Sequence, residues 1–188
     1  MSVFAGVKSD KEYGDDNKHF AVPTSVDVDK FGNVYVSDYV NNRIQIFDSL
    51  GNFLKSISVK NPAKVAVHQK TGEIYVFSWA IIGIPIELER KINYDPEKVP
   101  QKISIFSAFP DTTMKQEDLF AFGPSRSYIF AMGQAYQVAL DSWTEEPSFW
   151  VVGRKHFDFP DNPTAGPGSS AWVLTKLWEG GARKIQLK

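Results

Sequence analysis

The residue types that support catalysis or metal binding are sparse in this chain of 188 residues. Its three histidines, His19, His68 and His156, lie far apart, whereas zinc ligands usually include closely spaced pairs. Asp27 and Asp29 could bind a cation or a water molecule, although an aspartate beside a turn more often caps that turn. The chain has no cysteine, which excludes disulfides, thiolate catalysis and cysteine-ligated zinc.

Motifs of the common enzyme classes are missing from the sequence. It contains no Gly-x-Ser-x-Gly elbow, no phosphate-binding P-loop and no His-Glu-x-x-His pattern. The segment GRKHFDFPDNPTAGPGSS groups Arg154, Lys155 and His156 with Asp158 and Asp161. This composition fits either a charge pair with a nearby imidazole or a solvated loop, and the lack of a second histidine at ligand spacing favours the loop.

Short strands, rather than helices, are predicted to position these side chains. The stretch from Val22 to Ile57 has β-branched and aromatic residues separated by glycine- and asparagine-containing turns. Gly32-Asn33 and Gly51-Asn52 mark two of these turns. The pattern predicts a four-stranded antiparallel meander, with strands near residues 26–28, 34–36, 43–47 and 53–57.

This meander resembles the NHL repeat, which forms one blade of a β-propeller. The matching positions run in order through the first meander: Pro23, Asp29, Gly32, Asn33, Tyr35, Val36, Asp38, Asn42, Arg43, Ile44 and Phe47. Asp38 and Arg43 belong to the repeat's own pattern. We therefore interpret them as a structural pair that ties the end of one strand to the next.

A second copy of the pattern begins at Pro62, about 40 residues after Pro23, which suits a propeller blade. Its third strand, 102–106, arrives late, so the second blade carries an insertion over 82–100. We expect a short helix at Ile86 to Ile92 in that insertion, which acts either as a binding lid or as an ordinary loop covering blade edges.

A third, degenerate copy contains strands near 138–141, 149–152, 171–174 and 185–187. The expected fold is all-β, an incomplete propeller of about three four-stranded antiparallel blades in one domain over 1–188. Residues 2–7 look like the outer strand of a preceding blade. The expected segments are 1–18 for that strand and a linker, 19–58 for blade 1, 59–123 for blade 2, and 124–188 for a linker and blade 3 with an insertion over 154–169.

Three blades leave two blade faces without a neighbour, whereas closed rings usually contain four to eight blades. An open apolar face of about 600 Å² forgoes about 15 kcal/mol of burial. We therefore expect the missing neighbours to come from further blades of a parent chain or from other subunits.

Strand direction predicts which loops share a face. In an up-and-down blade, the connections after the second and fourth strands emerge together, and both insertions follow a second strand. Loops on a rigid scaffold often carry recognition. The expected ligand-binding residues on this loop-rich face are Tyr39, Asn41, Arg90, Tyr94, Arg154 and His156.

The resemblance leaves three functions open. We expect a non-enzymatic scaffold that binds a protein, peptide or glycan, without a cofactor. The alternative is part of a propeller lyase or lactonase, whose relatives use zinc or calcium at the central channel. Here His19 and His156 would share one face, and His68 would emerge on the other. The second alternative, an RNA-binding NHL domain, would need a basic face built from Arg90, Lys91, Arg154 and Lys155.

The composition of the chain restricts the classes of partner that we expect it to bind. The chain has 21 basic and 22 acidic residues, so it lacks the strong positive field typical of nucleic-acid binding. The apolar run from Ala80 to Ile86 is too short to span a bilayer, and no signal peptide is visible. Because exported bacterial proteins often avoid unpaired thiols, we favour an extracytoplasmic location.

Overall fold

The computed structural model describes residues 4–6, 13–81, 83–99, 102–119, 137–156 and 170–179. These residues form three antiparallel sheets, which confirms the all-β prediction. In the first sheet the strands follow one another in sequence order, as predicted for a blade. Its strands are β1 (Pro23–Val28), β2 (Val34–Asp38), β3 (Arg43–Phe47) and β4 (Phe53–Ser58).

The second sheet repeats this meander and contains the predicted insertion between its second and third strands. Its strands are β5 (Pro62–Val67), β6 (Ile74–Ser78), β7 (Lys102–Phe106) and β8 (Met114–Leu119). The insertion holds helix α1 (Ile86–Ile92), which has the predicted bounds, and a 3₁₀ turn (Pro96–Lys98).

The third sheet has three described strands, β9 (Gln137–Asp141), β10 (Ser148–His156) and β11 (Ser170–Glu179), in the order β11-β10-β9. Strand β10 is longer than expected and pairs with β11 as far as His156 opposite Ser170. Arg154 and His156 therefore lie in a strand and not in a loop starting at residue 154. The fourth strand expected near 185–187 lies outside the described residues.

The turn between β1 and β2 shows why the repeat requires its polar residues. Asp29 Oδ1 accepts from the Phe31 and Asn33 amides at 2.8 and 2.9 Å, and Oδ2 accepts from the Asn33 side chain and the Tyr35 hydroxyl at 2.8 and 3.0 Å. Gly32 adopts φ +84°, a conformation that glycine reaches without strain. Asp29 is therefore a turn cap, the commoner of the two predicted roles.

Neighbouring sheets pack face to face as propeller blades. One buried cluster joins the first two sheets and contains Tyr35, Ile44, Ile46, Val65, Val67, Ile74, Val76 and Phe106. A second cluster brings Tyr75 and Phe77 against Phe149 of the third sheet, with edge-on ring centroids 4.9 and 5.3 Å apart. Burial of these rings and branched side chains is the main stabilising contribution. The sheets that the structure describes form an open array of blades.

Hydrogen bonds between a side chain and the backbone also join the first strands of adjacent blades. The Val67 amide donates to Asp27 Oδ2 at 2.7 Å, and Thr24 Oγ1 donates to the Pro62 carbonyl at 3.0 Å. Strands β1 and β5 are thus equivalent neighbours in the array. This arrangement is the one predicted from the alignment of the two repeats.

Strand β8 (Met114–Leu119) lies within the segment 59–123 expected for blade 2 and is the fourth strand of that sheet. Of the outer strand expected over 2–7, the structure describes residues 4–6, which form a bend.

Candidate functional site

The predicted loop-rich face exists on the first two blades, and we call it the insertion face. It consists of the entry segment 13–22, the β2–β3 connection 39–42 and the insertion segment 79–99 without residue 82. The backbone amides of Tyr39 and Val40 donate to the carbonyls of Val22 and Ala21 at 3.2 and 3.1 Å. These contacts place the entry segment against the β2–β3 connection.

A buried ion pair holds the entry segment in place. Arg43 Nε donates to Asp38 Oδ2 at 2.8 Å, and the Asp38 side chain is fully buried. Asp38 Oδ1 also accepts from the Ala21 amide at 2.7 Å. Burial raises the pKa of Asp38, while hydrogen bonds from Asn41, Ala21 and Arg43 oppose that rise. The pair has the structural role predicted for it.

The guanidinium of Arg43 reaches further than the sequence prediction assumed. Its Nη2 donates to the carbonyls of Asp16 and His19 at 2.8 and 2.9 Å, and its Nη1 donates to the Asp15 carbonyl. A planar fork of donors suits such multiple contacts. The predicted tie between two strands is therefore also a clamp on the entry segment.

Tyr39 and Tyr94 connect blade 1 to the insertion of blade 2. Their hydroxyl oxygens lie 3.1 Å apart, and Tyr39 donates to the Trp79 carbonyl at 3.0 Å. Tyr94 Oη also lies within hydrogen-bond distance of the Ile81 amide nitrogen and carbonyl oxygen. Burial raises the pKa of both phenols, so they stay neutral hydrogen-bonding groups near neutral pH.

The insertion is a packed platform rather than an extended loop. Leu88 of α1 is buried in the same cluster as Tyr39 and Trp79, and Asn93 ends the helix in a left-handed conformation with φ +50°. Two other residues of α1 are open to solvent, since Ile86 is 51% exposed and Ile92 is 36% exposed. The platform therefore presents apolar and charged groups together on a supported surface.

The six predicted ligand-binding residues do not all reach solvent on this face. Tyr39 is fully buried, so its prediction as a ligand contact is wrong. Asn41 uses its amide to donate to Gly14 O and Asp38 Oδ2 at 2.6 and 2.8 Å. Arg90 is exposed on α1, and Tyr94 is half-buried. The side chains of Arg154 and His156 lie outside the described part of the chain.

Histidines and carboxylates do not converge in the described regions. Within those regions, no group of three or more His, Cys, Asp or Glu side chains could hold a metal ion. His19 instead pairs with Asp16, whose Oδ1 lies 2.8 Å from His19 Nδ1. That hydrogen bond holds the pKa of Asp16 below its ordinary value.

A cavity on the opposite face was not predicted from the sequence. We call this side, which carries the β1–β2, β3–β4, β5–β6 and β7–β8 turns, the turn face. The cavity measures about 70 Å³ and lies among the turns of blades 1 and 2, where His68 and Asp29 line it. His68 emerges opposite His19, as predicted. The available signal was that His68 stands where the first repeat has its capping Asp29.

Comparison with known proteins supports the first blade directly. Residues 20–47 match the NHL repeat family model. The chain is similar to a solved structure of Kuenenia stuttgartiensis hydrazine synthase, at 12% identity and a TM-score of 0.40, over 69% of this chain and 33% of that chain. It therefore spans about a third of that protein. No curated protein matched the sequence.

The helices in the described regions are short. Helix α1 has seven residues, and none of the helices in the described regions has the length and apolar character needed to cross a bilayer.

Proposed function

We propose that this chain, an array of propeller blades that includes an NHL repeat, is a non-enzymatic scaffold that binds a protein or peptide through its insertion face. The observation that carries this proposal is the anchored platform. Tyr94 fixes the insertion to blade 1, so the surface of α1 is presented in a defined position. A supported surface binds with a smaller loss of conformational entropy than a mobile loop does.

The exposed side chains of α1 favour a polypeptide ligand over a nucleic acid or a glycan. Ile86 and Ile92 are exposed on the same short helix as Glu87, Arg90 and Lys91. Apolar anchors surrounded by charges of both signs are common in protein interfaces. A nucleic acid would instead favour a surface with excess positive charge.

The blades themselves suggest a second kind of partner. A propeller blade buries both faces of its sheet against neighbours, and the described sheets do not close into a ring. Further blades of a parent chain, or other subunits, would complete the scaffold. Their role would be structural, and the insertion face would remain the recognition surface.

Selection from a library of random peptides displayed on phage tests the proposal. Peptides enriched on the wild-type chain should bind an Arg90→Glu, Ile86→Asp variant at least about tenfold more weakly, because the anchors of the platform are removed. Leu50→Asp is a matched control, because Leu50 is 81% exposed on the turn face. Enriched peptides that bind the platform variant and the wild type equally would contradict the proposal.

A further inference from the structure

The three most exposed large apolar side chains of the described residues lie in turns between strands. Phe31, Leu50 and Trp143 are 77%, 81% and 86% exposed. Phe31 lies in the β1–β2 turn, Leu50 in the β3–β4 turn and Trp143 in the β9–β10 turn. A single exposed apolar side chain is ordinary in a folded protein. Three of them in equivalent turns indicate a shared role.

The same aspartate cap holds the backbone of all three residues. In each turn, Oδ1 of an aspartate two positions earlier accepts the amide hydrogen of the apolar residue. The three pairs are Asp29 with Phe31 at 2.8 Å, Asp48 with Leu50 at 2.9 Å, and Asp141 with Trp143 at 3.1 Å. The cap fixes the backbone of the apolar residue, while its side chain extends into solvent. These side chains are therefore presented by ordered turns.

All three turns emerge on the turn face. A β-carbon on Gly32 would lie 3.6 Å from Ser49 Cβ, so the β1–β2 and β3–β4 turns adjoin. In the third sheet, β9 lies beside β5, the first strand of blade 2. Phe149 and Tyr75 are the second residues of β10 and β6, and their ring centroids are 4.9 Å apart. The β9–β10 turn therefore emerges beside the β5–β6 turn.

The first turn of blade 2 presents a lysine at the matching position. His68 caps this turn by accepting from the Thr71 amide at 3.1 Å, and the residue two positions after His68 is Lys70, which is exposed. The Lys70 carbonyl accepts from Lys30 Nζ at 3.1 Å, and that ammonium group lies 5.2 Å from the Phe31 ring centroid. Two lysines therefore lie next to the apolar side chains.

This arrangement favours the surface of a lipid bilayer over a protein partner. The three side chains protrude from separate turns, so a protein would need a fitted pocket for each, whereas lipid headgroups and acyl chains adapt to them. Aromatic rings and lysine side chains are also the groups that lie at the headgroup level of membranes. Glu145 and Glu146 are exposed beside Trp143 and offset the two lysines, so the turn face does not select anionic lipids.

We propose that the turn face binds the surface of a phospholipid bilayer, with Phe31, Leu50 and Trp143 inserted among the headgroups. Removal of these apolar side chains from water drives the binding. Lys30 and Lys70 extend their ammonium groups to the lipid phosphates. Because the capped turns are already ordered, little conformational entropy is lost. The insertion face points away from the bilayer, so its proposed polypeptide ligand can bind at the same time.

Sedimentation with vesicles of phosphatidylcholine tests this proposal. The wild-type chain should sediment with the vesicles, and the bound fraction should persist at about 0.5 M salt, because apolar contacts are not screened. Insertion should shift the tryptophan emission to shorter wavelength, and lipids brominated near the headgroup should quench it. The variant Trp143→Phe identifies the share of this signal that comes from Trp143.

Two variants compare the turn face with the insertion face. Leu50→Asp should weaken binding to the vesicles at least about tenfold, because it replaces an inserted apolar side chain with a charge. Ile86→Asp is the matched control, since Ile86 is 51% exposed on the insertion face, and it should bind as the wild type does. Thermal unfolding of both variants should match the wild type. Equal binding by Leu50→Asp, or binding only to anionic vesicles at low salt, would overturn the proposal. Failure of the wild type to bind vesicles would overturn it in favour of a protein partner.

Discussion

The hydroxyl groups of Tyr39 and Tyr94 lie 3.1 Å apart although the residues are separated by 55 positions in the sequence. Tyr39 follows the second strand of blade 1, and Tyr94 lies in the insertion of blade 2. Their contact, together with the Ile81 and Trp79 backbone, converts a long connection into part of the folded core. The proposed recognition surface depends on this contact.

Removing either hydroxyl should destabilise the protein, and the two losses should not add. We expect Tyr39→Phe and Tyr94→Phe each to lower the free energy of unfolding by about 1–2 kcal/mol, because buried polar partners are left unsatisfied. The double variant should show a coupling of about 1 kcal/mol in a denaturant-based double-mutant cycle.

A matched control for this cycle is Tyr13→Phe, since Tyr13 is 45% exposed. It should change the free energy of unfolding by less than about 0.5 kcal/mol. Strict additivity of Tyr39→Phe and Tyr94→Phe would contradict a direct contact between the hydroxyls.

Arg43→Lys should release the entry segment while leaving a positive charge beside Asp38. A lysine cannot reproduce the guanidinium contacts with the Asp15, Asp16 and His19 carbonyls. We expect trypsin to cleave after Lys18 about tenfold faster under native conditions, as local opening becomes easier. Lys60→Arg is the control, because Lys60 is exposed. Trypsin should cleave this variant after Lys18 at the wild-type rate. Unchanged cleavage in Arg43→Lys would exclude the clamp.

Glu73 should give a pH-dependent contribution to stability. Burial tends to raise its pKa, but hydrogen bonds from Lys115 and Tyr75 outweigh that effect and lower the pKa below its ordinary value of 4.5. A lowered folded-state pKa stabilises the protein above the unfolded-state pKa, and the contribution is lost as pH falls through the folded-state pKa. Glu73→Gln should therefore cost about 0.5 kcal/mol at neutral pH and much less near pH 3.

Urea unfolding of the wild type and of Glu73→Gln at several pH values measures this difference. The two curves should converge in acid. A cost for Glu73→Gln that is constant from neutral to acidic pH would show that the Lys115 and Tyr75 contacts do not depend on the ionised carboxylate.

Two glycines with similar backbone conformations should respond differently to alanine. Gly51 and Gly83 have φ values of +86° and +82°, so alanine is strained by about 1 kcal/mol at both. A methyl group on Gly51 would also overlap the Phe4 carbonyl oxygen, whereas one on Gly83 would meet nothing within 4 Å. Gly51→Ala should therefore lower the thermal midpoint more than Gly83→Ala does, and equal shifts would contradict the contact with Phe4.

The sequence predicted the parts of the fold that depend on local chemistry. Asp29, Gly32 and Asn33 specify a turn within a few residues, and a short helix was expected at Ile86 to Ile92, where the structure has α1. Strand β8 was missed because MKQEDL lacks the alternation of apolar and polar residues. Its pairing with β7 supplies the structure that its own sequence does not indicate.

The site was harder to predict because it depends on distant contacts. Tyr39 looked like a loop residue facing solvent, yet the insertion of the next blade buries it. The cavity beside His68 requires turns from two blades to meet, which a single sequence does not reveal. Only the substitution of histidine for the aspartate of the first repeat indicated that this turn differs.

Packing of successive repeats as neighbouring blades is the central claim, and hydrogen exchange of the Val67 amide tests it most directly. That amide donates to Asp27 Oδ2 of the adjacent blade at 2.7 Å. The amide should be protected in the wild type and exchange at least about tenfold faster in Asp27→Ala, while amides of β6 and β7 keep their rates. A Val67 amide that exchanges freely in the wild type, or that is unaffected by Asp27→Ala, would contradict the packing of these two blades.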